Sequence, residues 1–116
     1  MDYQTAYSFI ATQGKDYQTT PESFLSRLQE GKPPIPGQVT NILVALKMIF
    51  SDLHENVSLD RELCLSLFLL SYASRQYFNA ASWAGVVWPP LLSEDIDRIG
   101  LAVQSIFAGQ WYDKNP

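Results

Sequence analysis

Between Leu59 and Ala81 the sequence reads LDRELCLSLFLLSYASRQYFNAA, with neither glycine nor proline to interrupt it. A run of that length without a breaker or a β-branched residue suits one long helix. Leu59, Leu63, Leu67, Leu70, Tyr77 and Ala81 recur at three- and four-residue steps or their multiples and share one face. Leu65, Phe68, Leu69 and Tyr72 fall on the other side of the same turns. A helix apolar most of the way round is normally buried by several neighbours. The stretch therefore predicts a central helix over about 59–81, in an all-α bundle of four to five helices.

The rest of the chain limits what such a bundle can do. Its 116 residues make a single helical domain, 1–116, able to bury roughly two-thirds of its unfolded surface. Apolar residues make up 47% and charged residues 17%, which argues against general disorder. The net charge is −4 and the eight Lys and Arg are scattered, so no nucleic-acid surface is expected. The most apolar window, Leu63 to Ala73, is about half of the ~20 residues a membrane span needs. The opening MDYQTAYSF lacks the pattern of a signal peptide, and the expected compartment is cytoplasmic.

Turn and capping chemistry divides the remaining residues. Asp2 can cap a first helix over 2–13, lined by Tyr3, Ala6, Tyr7 and Ile10 and stopped at Gly14. Thr20 before Pro21 predicts the start of a second helix, carrying Phe24, Leu25 and Leu28 and ending at Gly31. The segment Lys32-Pro33-Pro34-Ile35-Pro36-Gly37 cannot be helix interior. It matches PxxP formally, and a stiff connector is the better reading. A third helix, about Gln38–His54, has the stripe Val39, Ile42, Leu43, Leu46, Ile49, Phe50 and Leu53. The short link that follows predicts that the third and central helices are antiparallel neighbours, with Ser58 capping the latter. Ser93 is expected to open a last helix with Glu94, Asp95 and Asp97 in its first turn and Gly109 as its stop. The tail GQWYDKNP should lay Trp111 and Tyr112 on the domain before fraying.

Few residues are equipped for catalysis. One His and one Cys, His54 and Cys64, cannot supply the usual nucleophile–base or metal sets. Cys64 reads as a small buried hydrophobe, and His54 as an imidazole meeting free carbonyls at a helix end. The acids Glu94, Asp95 and Asp97 have a helix-dipole explanation, and no metal or cofactor is expected. A phosphate loop requires Gly five positions before a Gly-Lys pair and Ser or Thr after it. Gly14-Lys15 has Phe9 and Asp16 there, and Gly31-Lys32 has Ser26 and Pro33, so both fail.

The run GKPPIPGQVTNILVALK (Gly31–Lys47), the LDREL start of the central stretch and the WPPLL…ED…RI pattern (Trp88–Ile99) resemble a family of short uncharacterised cyanobacterial proteins. The resemblance covers most of the chain, implies an all-helical fold and brings no motif of known chemistry. Some members carry the name dethiobiotin synthetase, an enzyme that closes a ureido ring with ATP and needs a P-loop on an α/β sheet. Neither is legible here, so that activity is not expected.

One group exceeds what a core needs. Phe68, Tyr72, Arg75 and Asn79 follow one ridge at four-, three- and four-residue steps, with Leu65 beside them. Aromatics next to arginine are the makeup of protein-binding hot spots. Either the ridge meets a protein partner, or it is covered by the first two helices or the Trp83–Leu92 segment. The expected function is a non-enzymatic protein–protein interaction or adaptor protein, with a homodimer as one form. The alternative is a small-molecule binding protein whose pocket is walled by Tyr77, Trp83 and Trp88.

Overall fold

Local capping sets where most helices begin. The structure, a computed structural model, describes residues 1–112. Five α-helices follow one another: α1 Tyr3–Gln13, α2 Phe24–Gln29, α3 Gln38–Leu53, α4 Arg61–Trp83 and α5 Leu92–Ala108, with a 3₁₀ turn over Tyr17–Thr19. The Asp2 carboxylate accepts the Thr5 N–H at 2.8 Å and starts α1 as its sequence predicts. The α3 boundaries also agree within a residue.

Three expected starts move, and at each a hydrogen bond from outside the helix engages either the new cap or the expected one. α2 is capped by Ser23, whose hydroxyl accepts the Ser26 N–H, and not by Thr20. The chain from Tyr17 to Thr19 is already turned, and the Tyr17 carbonyl accepts both the Ser23 and the Ser26 hydroxyls. That clamp holds the turn and shortens α2 to six residues. α4 is capped by Asp60, which accepts the Leu63 N–H at 3.0 Å, while Ser58 is exposed in the link. Asp60 prevails because it also accepts the Tyr7 hydroxyl at 2.5 Å and so ties α1 to the head of α4. α5 starts at Leu92 with no side-chain cap, because both the hydroxyl and the carbonyl of Ser93 accept hydrogen bonds from Arg75.

The helices pack in a ring in which α4 touches α1 and α2 on one side and α5 on the other. α3 packs against α1 and α5 and lies diagonally across from α4, not beside it as the short link suggests. Residues 54–60 reach about 3.3 Å each when extended. That exceeds the ~13 Å diagonal of four helices spaced at 8–10 Å, so a short link does not require adjacency. Ile10, Phe24, Leu25, Leu28, Ile42, Leu46, Ile49, Leu67, Leu70 and Ile99 are completely buried in the interior.

Two contacts fix how close the helices come. A Cβ on Gly14 would lie 2.7 Å from the Cα and Cβ of Ser66 and 2.8 Å from its carbonyl oxygen. Gly14 has φ −104°, so it is needed for the close approach of α1 to α4 and not for a left-handed turn. The neighbouring Lys15 N–H donates to the Ser66 hydroxyl. Gln13 and Gln38 are buried as a polar pair: Gln13 accepts the Phe24 N–H at 2.6 Å, and Gln38 donates to the Glu22 carbonyl at 2.9 Å. At the far end Trp111 meets Phe50 edge-on at 5.2 Å, and the Lys47 ammonium sits 3.8 Å from the Trp111 ring centre. The fraying expected of the tail falls on residues 113–116, outside those described.

The Tyr7–Asp60 tie should be visible in the pH dependence of stability. The Tyr7 hydroxyl, and after it the Leu63 N–H, hold the Asp60 carboxyl below the usual range. A carboxylate depressed by folding contributes stability above its unfolded pKa, and the contribution is lost as pH falls through the folded value. Tyr7 is pushed up to about 12, chiefly by its hydrogen bond to Asp60. Its contribution is complete below the ordinary tyrosine pKa near 10 and disappears as pH rises through 12. Tyr7→Phe should therefore flatten both limbs of a plot of melting temperature against pH. Unchanged limbs in the variant would contradict the tie.

Candidate functional site

The interior face of α4 carries Leu63, Ser66, Leu67, Leu70, Ala73 and Ser74, all buried. Three of these are small, so neighbouring helices approach closely over one arc and leave the opposite arc uncovered. There Leu65, Phe68 and Tyr72 are 49%, 50% and 53% exposed. The expectation that α4 is buried most of the way round is corrected: it is a one-sided helix. α1, α2 and α5 pack around its inner arc, and Trp88 of the Trp83–Leu92 segment folds onto Phe78, so the ridge stays open.

The ridge is ordered by its own contacts. The Phe68 and Tyr72 rings stack with centroids 5.2 Å apart and planes 12° from parallel. Arg61, Leu65, Phe68, Tyr72, Arg75 and Asn79 alternate four- and three-residue steps, which is the period of a coiled-coil seam. This period is written in the sequence, but its exposure is not.

Arg75 has a different role from the one its position suggests. Its guanidinium donates to the Ser93 hydroxyl at 3.0 Å, the Ser93 carbonyl at 2.9 Å and the Asp97 carboxylate at 2.7 Å. It also lies 5.1 Å from the Phe78 ring centre. Arg75 is a tie between α4 and α5 at the margin of the ridge, with its fork already occupied. Asn79 is half-buried one turn further on.

Beside the ridge runs an open groove of about 410 Å³ between α4 and α5. Ser71 and Arg75 form one wall, and Ile96, Gly100, Leu101 and Gln104 form the other. A Cβ on Gly100 would meet nothing within 4 Å. Periodicity alone could not single out Gly100, because a glycine within a helix carries no apolar signal.

The aromatics expected to wall a ligand pocket do not converge. Trp83 is 85% exposed. Trp88 stacks on Phe78 at 5.6 Å and donates its indole N–H to the Phe78 carbonyl. Tyr77 shares a hydrogen bond of 2.5 Å with the Tyr17 hydroxyl, and burial followed by that bond pushes its pKa up to about 12. The Tyr77 and Trp88 contacts are structural ties within the monomer.

The other chemically capable side chains are likewise dispersed. His54 caps α3, stacks on Phe50 and places Nδ1 3.2 Å from the Ser51 carbonyl, as its helix-end position predicts. Cys64 is half-buried on α4, more open than the buried hydrophobe expected. Asp95 pairs with Arg98 and Asp97 with Arg75, so these acids do not form one cluster. Among the described residues no helix is long and apolar enough to cross a membrane. No protein-family model matches the chain, and neither a curated protein nor a solved structure matches it.

Proposed function

We propose that the chain is a non-enzymatic protein–protein interaction module that docks through the outward ridge of α4. The observation that carries this reading is the line Leu65, Phe68 and Tyr72, half-exposed on a helix whose other face is core. Adjacent exposed apolar side chains on one helix face form the kind of patch used at contact sites. The two aromatic rings are already stacked on each other, an arrangement that lowers the side-chain entropy lost on docking. The small-molecule alternative is weaker, because Tyr77, Trp83 and Trp88 point to different tasks. A single unpaired thiol suits a reducing compartment, consistent with action in the cytoplasm. The three motifs that resemble the short cyanobacterial family carry no chemistry that competes with this reading.

Phe68→Glu with Tyr72→Lys tests the reading, since it swaps the stack for an i,i+4 ion pair that favours the helix. The reading predicts that parent chain used as bait in source-cell extract retains a protein that the equally folded variant does not. The same proteins retained by both would overturn it.

A further inference from the structure

The ridge and the groove beside it have the form of two halves of one contact. We propose that the occupant of this face is a second copy of the chain, related by a two-fold axis that seats each ridge in the partner's groove. The proposal rests on the reading of the ridge as a docking site and adds the identity of what docks there.

Three observations support a self-complementary face. A two-fold contact requires one patch to carry both a projection and a matching recess. Here the projecting Phe68–Tyr72 stack stands on the same helix that forms one wall of the groove. Gly100 lies inside α5, where glycine weakens a helix relative to alanine, yet the space beside it is empty. The missing side chain leaves that wall of the groove open. Phe107, 49% exposed and seven residues beyond Gly100, continues the apolar rim on the same side of α5.

Charge and area fit as well. The charged groups lining the groove, Arg75 and Asp97, pair with each other, so the groove itself presents neither sign in excess to an entering apolar ridge. A strongly basic or acidic partner would gain nothing there. α4 has 23 residues and α5 has 17. At about 1.5 Å per residue and 8–10 Å between axes, they offer a surface roughly 30 Å by 20 Å. That approaches the ~800 Å² per partner of an ordinary stable interface.

Sedimentation equilibrium of the parent chain from 1 to 200 µM is the first test, with a concentration-dependent dimer expected. Gly100→Leu should fill the groove and weaken the dimer at least tenfold, while raising the monomer's melting temperature through better helix propensity. Phe68→Glu with Tyr72→Lys should weaken it equally. In a Cys64→Ser background, chains with Phe68→Cys and chains with Gly100→Cys, mixed under oxidation, should form the mixed disulfide in preference to either like pair. A parent chain that is monomeric at 200 µM overturns the inference. If that monomer still retains a different protein through the ridge, the docking reading survives without it. A dimer indifferent to both variants overturns the inference as well.

Discussion

Leu70→Ala and Leu67→Ala are each expected to destabilise the chain by about 2–5 kcal/mol. Both side chains are completely buried in the middle of α4, where α1, α2 and α5 converge. Truncation removes transfer free energy and leaves a cavity that helices on several sides cannot all close. Domains of this size have a total stability of about 5–15 kcal/mol, so either change takes a large share. Urea unfolding should show a lower midpoint with an unchanged slope. Losses below about half a kcal/mol at both positions would mean that the core lies elsewhere.

Gly14→Ala is expected to cost about 1–3 kcal/mol despite adding one methyl group, with Gly14→Val worse. The new Cβ would meet backbone atoms of Ser66, which cannot rotate away as a flexible side chain can. Ser66→Gly should rescue Gly14→Ala only in part, because it removes the Ser66 Cβ and leaves the Cα and carbonyl oxygen in place. A double-mutant cycle in urea measures this coupling. Independent, additive losses would contradict the close approach of α1 to α4.

These two positions show what was legible in the sequence. Leu67 and Leu70 announce themselves by spacing, and the all-α bundle follows from stripes of that kind. Gly14 was legible only as a stop, since nothing local says that Ser66 lies against it. The misplaced starts of α2, α4 and α5 have the same cause. Ser58, Asp60, Thr20 and Ser23 are all capping residue types, and tertiary hydrogen bonds from Tyr7 and to Tyr17 select among them. The ridge was legible as a period but ambiguous as a surface. An apolar side of a helix reads the same whether a neighbour covers it or not, and here Ser66, Ala73 and Ser74 draw the neighbours to the other face. Arg75 looked like a partner-binding residue because Ser93 and Asp97, about twenty positions later, gave no sign that they receive it.

The central claim is that Phe68 and Tyr72 lie outside the monomer core. Thermal unfolding of the Phe68→Glu, Tyr72→Lys variant tests it directly, followed by circular dichroism at dilutions where parent and variant are both monomers. Surface changes of this kind stay within about 0.5 kcal/mol, which is a shift of roughly 2–4 °C for a domain of about a hundred residues. The exposed ridge predicts a melting temperature inside that range. A fall of more than about 10 °C would mean that the changes bury charge in a packed interior, and would contradict the account.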